Sequence, residues 1–201
     1  MEHAARCSLS ALIANNAASV RGRTCPALFL RDHIHKVHSA SILQINVSPG
    51  GVPKRPIPTG VVTSLGIAGD KQAHPQIHGG PRQAILIVTS EGIDELKEQG
   101  FPLYHGALGE NLTTRGLDRR SMRIGQRYRI GEVLLEITKI RAPCDTLNPY
   151  GPGIQKAVYD QDVKAGNSAS PRWGLSGFYA SVLRAGTIHP GDPIQLVDET
   201  A

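Results

Sequence analysis

Alternating apolar and polar positions mark the first patterned stretch of the chain. Ser41-Ile42-Leu43-Gln44-Ile45-Asn46-Val47 has the two-residue period of a strand. Ser48-Pro49-Gly50-Gly51-Val52-Pro53 then breaks it. Val61–Leu65 predicts a second strand, followed by a turn over Gly66–Asp70 and a loop over His74–Pro81. Gln83–Thr89 is a short apolar strand. Ser90 is positioned to cap a helix over Glu91–Gln99. Glu91 and Asp94 lie near its start, Ile93 and Leu96 share a face, and Gly100 ends it. Glu110–Thr114 predicts a short strand. Gln126–Ile130 and Val133–Ile140 predict a hairpin turned at Gly131-Glu132. Ile154–Asp160 reads as one or two helical turns, residues 163–171 as loop, and Pro193–Val197 as a last strand. The segment Leu175–Arg184 has no clear period. Many short strands with glycine-marked corners and few helices predict a mainly β fold, a small β-barrel with helical insertions, in one domain over residues 39–201.

Composition narrows the function classes. The chain has 201 residues, 40% of them hydrophobic, which suffices for a real core. Its longest uninterrupted apolar run is Ala84–Val88, far short of the ~18–20 residues that span a bilayer, so no membrane role is expected. Three cysteines without a CxxC pair make no disulfide framework and point to a reduced, cytoplasmic setting. Net charge is +5, but residues 1–39 carry Arg6, Arg21, Arg23, Arg31 and Lys36 against only Glu2 and Asp32. The rest of the chain is near neutral. Residues 1–38 read as a disordered N-terminal extension, with a transit peptide as the other reading of their Arg-rich, acid-poor composition.

Generic motifs for dinucleotides, P-loops and serine nucleophiles are absent from the sequence. Asp70, His74 and His78 have the four-residue spacing of a helical metal face, but Pro75, Gly79 and Gly80 put them in a loop, where a histidine more simply braces the backbone. Cys144 stands out. Pro143 turns the chain directly after a predicted strand, and Arg141 is a nearby cation that favours thiolate over thiol. A thiolate serves as nucleophile, persulfide carrier or soft-metal ligand; a small buried core residue is the bland reading. Arg115, Arg119, Arg120, Arg123, Arg127 and Arg129 read either as an anion-binding surface or as a solvated strand face. Alternation with Tyr128 and Ile130 supports the solvated face for Arg127 and Arg129. With aromatics at 4%, a nucleic-acid-binding barrel is only a remote alternative.

Taken in order, several segments resemble the MOSC family, named for the C-terminal domain of molybdenum cofactor sulfurase. They are Val52-Pro53-Lys54, Gly66–Gln72, His78-Gly79-Gly80-Pro81-Arg82-Gln83-Ala84, Gly109-Glu110-Asn111-Leu112, Gly116-Leu117, Ile124-Gly125, Leu135–Thr138 and Pro143-Cys144. Ser170–Gly174, Tyr179–Leu183, Gly186–Ile188 and Gly191-Asp192 resemble the family's closing segment. The likeness spans roughly residues 41–198 and is nearest to the bacterial stand-alone type.

The resemblance implies a β-barrel with flanking helices and an association with the molybdenum cofactor, a molybdenum ion held by a pterin (molybdopterin) dithiolene that also carries a phosphate. The family's cysteine corresponds to Cys144. In the branch that reduces N-hydroxylated compounds it ligates molybdenum; in the sulfurase branch the domain handles sulfur as a persulfide. The expected role is therefore a molybdenum-dependent oxidoreductase, with a sulfur-carrier or cofactor-delivery module as the alternative. Stand-alone bacterial members imply detoxification of N-hydroxylated bases. The pterin phosphate calls for cations and backbone N–H groups, for which Lys54, Lys71, Arg82, Arg141 and the turn at His78, Gly79 and Gly80 are candidates. Asn111 is a candidate for pterin edges or an oxo ligand. Glu110 reads as a brace at a barrel corner. No segment provides a pyridoxal-phosphate domain or a four-cysteine iron–sulfur site, so a separate cysteine desulfurase or a separate electron-donating reductase is the expected partner.

Overall fold

A computed structural model describes residues 40–72 and 79–198. They fall within one compact unit, residues 37–201. The N-terminal segment 1–38, expected to be disordered or a transit peptide, lies outside the described residues.

Eleven named strands frame the described unit. They are β1 (Ser41–Val47), β2 (Arg55–Ile57), β3 (Gly60–Thr63), β4 (Gly66–Ile67), β5 (Ile85–Thr89), β6 (Leu112–Arg115), β7 (Arg127–Ile130), β8 (Val133–Ile140), β9 (Phe178–Arg184), β10 (Gly186–Ile188) and β11 (Ile194–Asp198). The helices are α1 (Ser90–Glu98), α2 (Ile154–Val158) and α3 (Gln161–Lys164), with 3₁₀ turns at Pro81–Gln83 and Asp145–Tyr150. Eight strands form one sheet in the order β11-β7-β8-β9-β5-β6-β1-β2. All its pairings are antiparallel except β5 with β6. A second sheet, β10-β3-β4, contributes Val62, Ile67 and Ile188 to the main core.

The mainly β class follows the sequence pattern, but the barrel is closed only at a corner. Ser41 bridges Pro193, Ile194 N–H donates to Ala40 at 2.7 Å, and Gly191 N–H donates to Ile42 at 2.7 Å. No full ladder joins β1 to β11, so the sheet is curled and tied rather than continuously closed.

Strand β5 explains how two cores share one sheet. All five of its residues are buried. Ile85 and Ile87 point into the curled sheet, while Val88 joins a second cluster with Ile93, Leu96, Leu108, Leu147, Ile154 and Val158. Both faces are covered, so the strand reads as an uninterrupted apolar run. The same reason hides β9. Phe178, Tyr179 and Ala180 are all buried between β5 and β8, and no alternation survives in the sequence.

Element ends shift by one or two residues from the sequence expectation. Helix α1 is capped by Thr89, one residue before Ser90, because the Thr89 hydroxyl accepts from Gly92 N–H at 3.2 Å. Within the expected loop 163–171, α3 intrudes because Asp160 caps it, accepting from Val163 N–H at 2.8 Å. The short strands β2, β4 and β10 carry no periodic signal of their own. No helix among the described residues is long and apolar enough to cross a membrane.

The junction of the main core is Phe178, 1% exposed, with Trp173 edge-on at 6.3 Å. Trp173 in turn donates from its indole to the Met122 carbonyl at 2.9 Å. Truncating Phe178 to Ala is expected to cost about 3–5 kcal/mol, read as a lower denaturant midpoint with an unchanged m-value.

Candidate functional site

Four chain segments converge on one cleft beside Leu86 of β5. The loop after β1 brings Gly51, Val52 and Lys54; the stretch after β4 brings Lys71 and Gln72; the turn before β6 brings Gly109 and Asn111; the stretch after β8 brings Arg141, Cys144 and Thr146. Gly79, Gln83, Leu86, Leu108 and Tyr179 complete the lining. The cleft is narrow, with about 70 Å³ of free space, a few water-sized groups at most when each takes about 30 Å³. It therefore takes the compact end of a ligand, and a larger ligand extends out of it.

Cys144 sits half-buried where Pro143 ends the strand path and a 3₁₀ turn begins. Its carbonyl accepts from Leu147 N–H at 3.1 Å, which starts that turn. The Cys144 sulfur and the Thr146 hydroxyl are 3.0 Å apart and hydrogen-bonded. Arg141 is held from behind: its N–H donates to Gly177 at 2.9 Å, and the Ser176 hydroxyl donates to its carbonyl at 2.6 Å. Burial pushes the Tyr179 phenol above its ordinary value, and the neighbouring Arg141 guanidinium pulls the other way. Arg141 is 4% exposed, and its Nη1 has no hydrogen-bond partner among the described residues.

Lys54 is buried and paired with Asp70. Burial lowers its pKa from the ordinary lysine value, and the Asp70 carboxylate opposes that shift. Asp70 also accepts from Ser48 N–H at 2.8 Å and from the Asn111 side chain at 2.8 Å. Asn111 spends its second amide hydrogen on the Asn46 carbonyl, and its oxygen accepts from Leu86 N–H at 3.1 Å. It is thus committed to holding Asp70 and β5 in place.

Glu110 braces the turn before β6, in keeping with the sequence reading. One oxygen accepts from Gly106 N–H at 2.5 Å and from the Thr113 hydroxyl at 2.9 Å. Gly106 has φ +98°, and a Cβ there would collide with the Lys54 carbonyl, so glycine is required. Burial raises the Glu110 carboxyl above its ordinary value; its hydrogen bonds and Arg141 partly offset this.

Of the residues singled out from the sequence, Lys54, Lys71, Gly79, Asn111, Arg141 and Cys144 line this cleft together. Gly80 and Arg82 are exposed in and before the first 3₁₀ turn and do not line it. His78 and His74 lie outside the described residues. Among the described residues no group of three His, Cys, Asp or Glu side chains could hold a metal ion. Tyr179, Thr146, Gln72 and Gln83 were not anticipated. Tyr179 belongs to the segment without a period, and Thr146 gains its place only because the 3₁₀ turn folds it back onto Cys144.

The arginine-rich stretch does not form one anion-binding face. Arg119 is buried and donates to the Trp173 and Pro171 carbonyls and to Glu95. Arg127 pairs with Glu136 at 2.9 Å, and Arg123 lies 5.8 Å from the Trp173 ring centre. Arg115, Arg120 and Arg129 are exposed.

A buried acid with a raised folded-state pKa stabilises only while it is protonated in both states. Stability should therefore fall as pH rises from about 4.5 through the folded value, at up to about 1.4 kcal/mol per pH unit. In Glu110→Gln that slope should flatten, read from urea midpoints across pH. A variant curve parallel to the wild type's contradicts the assignment.

A family model described as "MOSC domain" matches residues 74–195. The chain is 30% identical over 145 residues to Protein YiiM of Escherichia coli (strain K12), covering 70% of this chain and 60% of that protein. It is 31% identical over 149 residues to Uncharacterized protein YflK of Bacillus subtilis (strain 168), covering 73% and 63%. A protein named Reductase from Gibberella moniliformis (strain M3125 / FGSC 7600) is 30% identical over 141 residues, which is 68% of this chain but 23% of that protein. The match thus spans less than two thirds of the length of each of these relatives. Among solved structures, YiiM from Geobacillus stearothermophilus aligns with a TM-score of 0.60 at 29% identity, covering 79% of this chain and 75% of that one.

Proposed function

The chain belongs to the MOSC domain family, and from that premise we propose that its cleft binds the molybdenum cofactor and that the protein reduces N-hydroxylated compounds. The observation that supports this best is the presence, in one narrow cleft, of both the Cys144 sulfur and the buried Nη1 of Arg141, which has no hydrogen-bond partner among the described residues. A thiolate is the soft ligand that suits molybdenum. A guanidinium with a free N–H suits an oxyanion such as a phosphate. Lys71 at the mouth adds a second cation. The donor set therefore fits the group, with Cys144 as metal ligand and Arg141, Lys54 and Lys71 facing its anionic part. When bound, the cofactor supplies two-electron removal of oxygen: the N–O bond breaks, two electrons and two protons enter, and water leaves.

The chain's own residues bind, orient and shield. Thr146 fixes the direction of the Cys144 sulfur through its hydroxyl. Asp70 and Asn111 hold Lys54 at the cleft wall. Leu86 and Leu108 give the wall an apolar side that excludes water. The electrons come from a separate reductase, in the cytoplasm; the likeness to a protein named Reductase supports a redox role. In the second reading, Cys144 carries a persulfide received from a separate cysteine desulfurase, whose own thiol is released. The half-buried, cleft-lining position of the sulfur is what favours it.

Protein purified anaerobically from molybdate-supplied cells is expected to hold near-stoichiometric molybdenum and pterin. Cys144→Ser should lose at least tenfold of the molybdenum by mass spectrometry, along with N-hydroxylated-base reduction. Equal molybdenum in the Ser variant removes Cys144 as ligand. No molybdenum in either protein, with a wild-type mass one sulfur heavier at Cys144 after incubation with a desulfurase, selects the carrier reading.

A further inference from the structure

Two carboxamides of the cleft keep their hydrogen-bonding capacity unspent. Gln72 and Gln83 are half-buried and line it, and neither side chain makes a hydrogen bond among the described residues. Asn111 is the opposite case. Its amide hydrogens go to Asp70 and to the Asn46 carbonyl, and its oxygen accepts from Leu86 N–H. The pterin-edge role expected for Asn111 therefore has no free N–H to perform it.

Gln72 is placed without spending such bonds. Lys71, just before it, is tied at both backbone groups: its N–H donates to Ser48 at 2.7 Å, and its carbonyl accepts from Gly51 at 3.4 Å. The Gln72 carboxamide then lies in the space that a side chain at residue 79 would need. A Cβ on Gly79 would stand 3.0 Å from Gln72 Cδ, 3.1 Å from Oε1 and 3.4 Å from Nε2, and Gly79 has φ +109°. The turn at Gly79 thus sets the amide head by contact and leaves its N–H groups and oxygen to a ligand. For Gln83 only the backbone is fixed in this way, its N–H donating to Gly80 at 2.9 Å.

The remaining polar groups of the cleft narrow the ligand. Arg141 and Lys71 only donate, Lys54 is paired with Asp70, and the Thr146 hydroxyl is engaged with the Cys144 sulfur. A carboxamide alone offers a donor and an acceptor at the fixed spacing of one planar group. Its complement is an amino or hydroxyamino group beside a ring nitrogen, the pairing by which Gln and Asn read adenine.

We propose that Gln72 is the specificity-determining residue of the cleft and reads the amino–ring-nitrogen edge of a planar heterocycle. The proposal rests on the reading of the cleft as the site of the molybdenum cofactor and an N-hydroxylated base, and it sharpens that reading. A pterin and an N-hydroxylated aminopurine both carry this edge; an N-hydroxylated amine without a second nitrogen does not. A ligand lacking the edge leaves the carboxamide unpaired, which is what rejects it.

The probes are 2-aminopyridine and 2-methylpyridine, which share a ring nitrogen and a size and differ in the N–H donor. Both are titrated as neutral molecules into the full chain purified free of cofactor, with binding followed by NMR. The wild type should bind 2-aminopyridine about tenfold more tightly than 2-methylpyridine. Gln72→Met, which keeps the length of the side chain, should bind both alike, and Gln83→Met should keep the preference. If Gln72→Met does not fold, the wild type still decides: its Gln72 side-chain amide resonances should shift with 2-aminopyridine and stay in place with 2-methylpyridine. In the cofactor-loaded protein the same variant separates the two sources of the edge. Full pterin content with a KM raised about tenfold for N-hydroxylated bases, and unchanged for an N-hydroxylated amine, assigns the edge to the substrate. Pterin content that falls with the preference assigns it to the cofactor. No preference in the wild type, a preference kept in Gln72→Met or lost instead in Gln83→Met, or amide resonances that respond to both probes alike, overturns the proposal and leaves the cofactor reading standing. Absence of molybdenum from the wild type overturns that reading, while the preference of the cofactor-free chain is measured independently of it.

Discussion

Asp70 ties together three stretches of chain that are distant in sequence. One carboxylate oxygen accepts from Ser48 N–H after β1; the other meets Lys54 before β2 and the Asn111 amide before β6. The carboxylate side chain is 2% exposed. A buried pair of this kind adds little net stability over an apolar substitute, but losing one partner costs about 3–5 kcal/mol because it strands the other charge. The interaction therefore acts less as glue than as a constraint on geometry. With Asp70 in place, Lys54 is held in the cleft wall, Asn111 is locked to Leu86 on β5, and the Ser48–Lys54 loop is tied at both ends beside the cleft.

The same constraint explains why the chemistry gathers where it does. Strand β5 turns Ile85 and Ile87 into one core and Val88 toward the other, and Leu86 is left at the seam between them. A seam between two packed layers is rigid without being filled. Loops anchored to it present polar groups with little freedom to relax. That is the condition under which an unpartnered guanidinium can persist and keep its preference for a ligand.

Cys144 and Arg141 illustrate a division of labour within a few residues of chain. Pro143 cannot extend the strand, so the backbone turns and a 3₁₀ turn delivers Thr146 to the Cys144 sulfur. Arg141, still on the strand path, is clamped by Ser176 and Gly177 from the stretch leading into β9. A soft sulfur and a hard cation thus face one space from different backbone supports, which suits a ligand with two chemically distinct ends.

Much of this was legible in the sequence. Alternation at Ser41–Val47, the hairpin at Gly131-Glu132, the capped helix over Glu91–Gln99 and the glycine-marked corners are local signals, and local signals depend on neighbours a few residues away. The order of the Lys54, Gly79, Glu110-Asn111 and Cys144 segments identified the family, and with it the cysteine. The sequence was silent wherever an effect depends on what covers a residue. Strand β9 lost its period because its first three residues, Phe178, Tyr179 and Ala180, are all buried. The sheet was tied at a corner by Ala40, Ile42, Gly191 and Ile194, whose pairing no local pattern records. Arg119 was drawn out of the arginine-rich run into the core by carbonyls more than fifty residues away. Above all, the burial that raises the Glu110 carboxyl, and that leaves Arg141 Nη1 without a hydrogen-bond partner among the described residues, is a property of the packed fold. Residue types and their order determined which groups are available. Only the tertiary structure decided which of them lose water, and it is loss of water that turns a charged side chain into a site.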